Sequence, residues 1–357
     1  MVMRYIAQGM RRDMALRIAR LSKHQYYHRP VGNKPCGRPC SQTTLYQCIE
    51  VANQQVVDVI RAVQQDPDTN YGYRRMYYHL MQMGYHINHK KVYRLMKGAD
   101  LLKKKVRPEN GKSYVKYRIV APERPLQVLE MDIKMVWVTE HRRHAYILTI
   151  LDTFTRAALY WCVGYCMKEQ RVKQAWCYVI EHYLQAYDLL NEQLHVELRN
   201  DNGPQFSSNM IRRFVKENHI DQVFTHPYTP QENGHVESFH AILKEALGQQ
   251  PFWSLSELEA RLEVFYQKYN QVRIHSSIAY LAPLPFWQCW QQGLIERIEL
   301  KNKKVKFKLK VSYQQLSGNG NLREVLCSNE TSLNGEDHLY VQQEVNGANT
   351  SVLQPSV

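Results

Sequence analysis

Apolar positions over the first hundred residues recur at intervals of three and four, the spacing of one helix face. Met14, Ile18 and Leu21 fall on such a stripe and predict a short helical hairpin over residues 9–28, with Ser22 placed to cap Lys23–Tyr27. The Gly-, Pro- and Cys-bearing stretch from Arg29 to Ser41 reads as an extended basic linker. Further helices are predicted over Tyr46–Gln65, Tyr73–Met83 and Asn88–Lys97, with breaks at Asp66-Pro67-Asp68 and Gly84. On the last of these, Val92, Leu95, Met96 and Ala99 form the apolar stripe, while Lys90, Arg94 and Lys97 lie on the opposite face. Two helices joined by a few residues, the second with a basic outer face, make a helix-turn-helix arrangement.

Lys103–Pro122 is a second basic linker, and beyond Pro125 the pattern becomes strand-like. Leu126–Thr139, His144–Phe154 and Ala157–Met167 read as three consecutive strands, an antiparallel meander. A helix (Glu169–Tyr187), a strand (Leu194–Asn200), a helix (Ser208–Asn218), a strand (Asp221–Phe224), a helix from Pro230 and one over Ser254–Asn270 follow. This order describes an α/β fold, a mixed sheet with helices on its faces, preceded by an all-α DNA-binding region. Lys301–Lys310 alternates lysine with apolar residues like a basic edge strand, and the Gly-, Asn- and Ser-rich residues after about Ser317 form a loose tail. The expected division is 1–45, 46–120, 121–290 and 291–357.

Charge sharpens this picture. Residues 1–120 carry 23 basic and 7 acidic side chains, a net of +16, whereas residues 121–357 net −2. The whole excess sits in the helical third, and double-stranded DNA is the expected partner because each neutralised phosphate releases condensed counterion. No run approaches the ~18 unbroken apolar residues of a membrane span. The arginines scattered through the first 20 residues do not make a secretory signal. Eight cysteines in 357 residues are too sparse for a disulfide scaffold and suit a reduced cytoplasm.

Three acids stand at informative places. Asp132 lies mid-strand between apolar neighbours, where burial is costly unless the charge is paired or binds a cation. Asp201 sits where the fourth core strand ends. Glu237 falls in the second turn of a helix that Thr229, Pro230 and Glu232 are placed to start, with Lys244 two turns further on the same face. Convergent carboxylates without a Cys/His cage suit hard cations such as Mg²⁺ or Mn²⁺. Two such ions can activate a nucleophile and stabilise the leaving oxygen in a phosphodiester displacement.

Residues 125–285 resemble the ribonuclease-H-like core of DDE transposases and retroviral integrases, with 35 residues between Asp201 and Glu237. More narrowly, the chain resembles the catalytic protein of the integrase-like bacterial insertion-sequence family, family three. The matching stretches include Tyr71-Gly72-Tyr73-Arg74-Arg75, Val92-Tyr93-Arg94-Leu95-Met96, Met131-Asp132-Ile133, Leu151-Asp152-Thr153-Phe154-Thr155-Arg156 and Asp201-Asn202-Gly203-Pro204-Gln205-Phe206. Asn233 through Lys244, Tyr269-Asn270, Arg273, His275 and Ala282-Pro283 complete them. Thr155 departs from a common serine, and Thr229-Pro230-Gln231-Glu232 looks more like retroviral integrases.

The resemblance implies a transposase that binds the terminal inverted repeats of its element, cuts a 3′ end with water and transfers it to target DNA. Asp132, Asp201 and Glu237 are then catalytic and metal-ligating, with two Mg²⁺ or Mn²⁺ ions. Arg74, Arg75, Lys90, Lys91, Arg94, Lys97, Lys244, Arg273 and His275 are the candidate DNA contacts. At least a dimer, a nucleoid-associated bacterial protein and an upstream helix-turn-helix partner joined by frameshifting are also implied. A non-catalytic DNA-binding regulator and a hydrolysis-only nuclease are the competing readings. Asp152, at the end of the second strand, either orients a basic neighbour such as Arg156 or finishes its strand, the structural role being favoured, and Cys162 and Cys166 are expected to share a core face. His24, His28, Cys36 and Cys40 have the residue types of an integrase zinc site but the wrong spacing.

Overall fold

The computed structural model describes residues 2–27, 41–103, 120, 122–190, 194–225, 233–249, 251–300 and 304–318. His28 and the linker residues from Arg29 to Cys40, Cys36 among them, lie outside these, as do most of the second basic linker, the helix start at Thr229–Glu232 and the tail after 318. The chain divides into two compact units, Met1–Gln42 and Thr43–Val357.

In the first unit, α1 (Val2–Ala7), α2 (Arg12–Ile18) and α3 (Lys23–Tyr27) pack around Val2, Ala15 and Leu16. The predicted stripe is corrected here. Met14, Ile18 and Leu21 are exposed, because the neighbouring stripe of Ala15, Leu16 and Ala19 meets α1 instead.

The second unit opens with β1 (Thr43–Tyr46) and β2 (Ile49–Ala52), a hairpin where the first half of a helix was expected. Its two turn residues, Gln47 and Cys48, both have positive φ (43° and 70°), the twist that suits tightly paired strands. Three helices follow: α4 (Asn53–Gln65), α5 (Tyr73–Gln82) and α6 (His89–Gly98), with β3 (Tyr85–His86) pairing β1 between the last two. The local signals act as predicted. Gly84 takes φ 98° just past α5, and the Asn88 side chain accepts the Lys90 N–H at 2.9 Å to cap α6. Val56, Ile60, Met76, Leu80, Val92 and Met96 form the core of this part.

The central sheet comprises β4 (Val128–Val138), β5 (Arg143–Asp152), β6 (Ala158–Gly164), β7 (Val196–Asn200) and β8 (Ile220–Phe224), in the order β6-β5-β4-β7-β8. The first three are antiparallel, and β7 and β8 run parallel to β4. One face packs on α7 (Glu169–Val179), its π-helical extension Ile180–Gln185, α8 (Pro204–Ser207) and α9 (Asn209–Glu217). The other packs on α10 (Gly234–Leu247) and α11 (Leu255–Gln271). Pairing with β7 covers only Val128–Glu130 of β4, so Asp132 lies just beyond the shared segment. Beyond the core, α12 (Pro283–Gln291) is an element the sequence reading did not include; it opens on a proline, which is favoured in a first turn. The antiparallel pair β9 (Ile295–Leu300) and β10 (Lys304–Leu309), followed by α13 (Tyr313–Gly318), closes over Phe154 and Phe286 through Phe307.

Candidate active site

Strand register brings two of the acids together. Glu130 pairs with Arg199 across β4 and β7, so two residues onward Asp201 comes level with Asp132 at the carboxyl end of parallel strands. Side chains alternate along a strand, and Glu130 therefore shares its face with Asp132. Glu130 is fully buried, and its Oε2 accepts the N–H groups of His235 (3.0 Å) and Val236 (2.7 Å) while Oε1 lies 2.8 Å from His235 Nδ1. A carboxylate from β4 thus satisfies the first amides of α10 and favours its positive end. Burial pushes the Glu130 carboxyl up to about 7, against the Val236 amide and the nearby charges of Arg156 and Arg199. Sequence reasoning missed this residue, whose signal was a second acid two positions from Asp132 in an apolar strand.

Glu237 sits in the first turn of α10, not the second, because the helix starts at Gly234. Its carboxyl is raised by burial and then by the charges of Asp132 and Glu130. Asp201 is also raised by burial; the Gly203 N–H at 3.0 Å pulls it down and the Asp132 charge pushes it further up. A Cβ at Gly203 would press within 3.1 Å of the Asp201 Oδ1, so the tight turn favours glycine. Asp132 feeds both shifts, which makes it the hub of the three acids. Its Oδ1 accepts the Ile133 N–H and its Oδ2 lies 3.3 Å from His240 Nδ1, a contact the sequence reading did not foresee. His240 lies one turn after Glu237 on α10. Among the described residues no group of three or more His, Cys, Asp or Glu is gathered as tightly as a preformed cation cage. The donor set nevertheless fits a hard cation: all three are carboxylates, and two carry a like-charge penalty that a cation would relieve.

The candidate DNA contacts divide into two groups. Lys90, Arg94 and Lys97 are exposed along α6, and Arg74 and Lys244 are exposed on α5 and α10. Arg75 is half-buried over the Tyr71 ring. Lys91 and Arg273 turn inward, correcting their assignment. Lys91 Nζ donates to the Thr43 carbonyl at 2.6 Å, Arg273 is 3% exposed and donates to the Asp68 carbonyl, and His275 is half-buried with its ring against Tyr269. The Asp152 expectation agrees with the structure. Its carboxylate accepts the N–H groups of Leu126, Phe154 and Thr155 and the Thr155 hydroxyl, closing the turn after β5. Cys162 is buried but Cys166, past the end of β6, is exposed, so the pair does not share the core.

Comparison with known proteins matches residues 51–109 to an HTH-like domain and residues 122–230 and 218–283 to two models of the integrase core domain. A protein named as a transposase, InsK for insertion sequence element IS150 of Escherichia coli, is 30% identical over 229 residues, 60% of this chain and 77% of that protein. An uncharacterized protein of insertion element IS476 from Xanthomonas euvesicatoria is 27% identical over 277 residues, 76% of this chain and 71% of the relative. The catalytic core domain of BIV integrase aligns with 47% of this chain and 97% of its own at 19% identity, with a TM-score of 0.34.

Proposed function

The chain belongs to the insertion-sequence transposases that join an HTH-like domain to an integrase core, and on that premise we propose that it cuts and joins the ends of its own element. The reaction is 3′-end cleavage by water followed by attack of the freed 3′-hydroxyl on a second phosphodiester. The observation that carries this reading is the convergence of three carboxylates from three elements: strand register levels Asp201 with Asp132, and α10, held to β4 by Glu130 and by the His240–Asp132 contact, carries Glu237. In this reading Asp132, Asp201 and Glu237 hold two Mg²⁺ or Mn²⁺ ions. Bound ions supply activation of the attacking oxygen and stabilisation of the leaving one.

The chain's own residues set that stage. Glu130 seats the first turn of α10, and with it Glu237, against β4. The Gly203 N–H orients the Asp201 carboxylate. Lys244, seven residues after Glu237, is placed to meet a phosphate next to the scissile bond. Lys90, Arg94 and Lys97 on α6 engage the terminal-repeat duplex, and two ends imply at least two copies of the chain.

The test compares wild type and Glu237→Gln on labelled duplexes carrying the inverted repeats that flank the gene. Glu237→Gln should bind those duplexes like wild type in Ca²⁺. With Mg²⁺ it should lose cleavage and strand transfer by on the order of a hundredfold or more. Substantial strand transfer by the variant overturns the mechanism. Wild-type cleavage without joining of a pre-cut 3′ end would favour the hydrolysis-only reading.

A further inference from the structure

His240 is a polar residue at an apolar position. It stands three residues after Glu237 on α10, and its neighbours in the buried stripe of that helix are Val236, Phe239 and Leu243. Residues three apart are neighbours on a helix surface, so the imidazole and the Glu237 carboxyl leave α10 side by side. His240 is 8% exposed, and one of its two ring nitrogens faces a charge: Nδ1 lies 3.3 Å from Asp132 Oδ2, within reach of a hydrogen bond. The other nitrogen, Nε2, is buried and meets no hydrogen-bonding partner among the described residues. A histidine that only filled space here would bring two polar atoms into the interior without compensation.

The surroundings of the two nitrogens decide where the ring proton sits. On Nε2 it would be a buried donor without an acceptor, the costly arrangement. On Nδ1 it faces a carboxylate oxygen, the stronger charge-assisted acceptor. Asp132 in turn uses its two oxygens differently. Oδ1 accepts the Ile133 N–H at 2.8 Å, while Oδ2 has the imidazole in front of it. Held at both oxygens, the side chain keeps one rotamer, and each oxygen retains a further lone pair. Tied at Oδ1 alone, it would be free to swing away from the like charges of Asp201 and Glu237. We propose that His240 is a positioning residue whose Nδ1–H holds Oδ2 of Asp132, so that this carboxylate keeps one orientation and presents its remaining lone pairs to a divalent cation. Metal-site ligands in general owe their orientation to such hydrogen-bonded outer partners. The role assigned to His240 rests on the reading of the three carboxylates as a metal site.

The test uses the full chain and three variants at one position. His240→Phe keeps the ring volume without a donor, His240→Asn places an amide N–H where Nδ1 stands, and His240→Gln places it where Nε2 stands. Mn²⁺ is titrated into each protein, with bound ion read from the loss of the free-ion electron paramagnetic resonance signal; strand transfer and metal-free thermal melting are measured alongside. His240→Phe should weaken Mn²⁺ binding and slow strand transfer by about 10- to 100-fold, with no loss of melting temperature. His240→Asn should recover most of both losses and His240→Gln little of either. Wild-type Mn²⁺ affinity and strand transfer in His240→Phe, or equal losses in His240→Phe and His240→Asn, overturn the proposal. So does a ¹⁴N modulation on bound Mn²⁺ that vanishes in His240→Phe, because it makes the imidazole a ligand. Asp132→Asn separates the two levels. If it abolishes Mn²⁺ binding and His240→Phe does not weaken it, the role of His240 alone fails; if neither weakens it, the metal-site reading fails as well.

Discussion

Two acids two residues apart on β4 are separated in role by what faces them. Glu130 meets the amide end of α10, and Asp132 meets two other carboxylates and His240. A similar contrast governs His275. Burial, then the charges of Arg273, Arg156 and Arg75, holds its imidazole well below the usual histidine range. The folded protein keeps it neutral, while the unfolded chain takes up a proton below about pH 6.5. Its contribution to stability is therefore present above pH 6.5 and is lost as pH falls toward the folded value. Thermal unfolding should shift to lower temperature between pH 7 and 5, and His275→Gln should flatten part of that slope. Half-buried His79, also lowered by desolvation, supplies another part. An identical slope in the variant would show that His275 does not contribute.

At the scale of elements, α6 shows how one helix divides its lysines. Lys91 is spent on the Thr43 carbonyl beneath, whereas Lys90, Arg94 and Lys97 are left outside. Lys90→Ala and Arg94→Ala in the full chain should weaken duplex binding and each lower the salt slope of log K by about one. Lys91→Ala should leave that slope unchanged and lower the unfolding midpoint. Anisotropy titrations over a salt series, paired with thermal melts, separate the two outcomes. The α10 helix is a second case, because its position depends on a carboxylate over a hundred residues earlier in the chain.

Across the whole second unit, the helical part and the integrase core are locked together at the Asp66-Pro67-Asp68 turn. Arg261 donates to Asp68 at 2.6 Å, Lys268 donates to Asp66 at 2.7 Å, and Arg273 donates to the Asp68 carbonyl. Burial alone would raise the Asp66 carboxyl, but the bonds from Lys268 and the Asp68 N–H hold it below its ordinary range. Tyr71 completes the lock, its hydroxyl donating to the Val272 carbonyl and accepting the Ile274 N–H, with Ile274 inside the helical core. Asp68→Ala leaves Arg261 without its carboxylate and should cost up to about 3 kcal/mol, read as a lower urea midpoint. A midpoint unchanged from wild type would mean that the turn does not join the two parts.

Features carried by near neighbours in the chain were readable from the residues alone: the Asn88 cap, the Gly84 stop, the three-strand meander and the placement of Asp132 within a strand and Asp201 just past the end of one. Each depends on backbone chemistry acting over a few residues, and that chemistry is written locally. The outward or inward fate of Lys90 and Lys91, the burial of Arg273 and the Glu130 seat of α10 were not readable. Those depend on which distant surface covers a side chain, and segments up to two hundred residues apart meet only once the chain has folded.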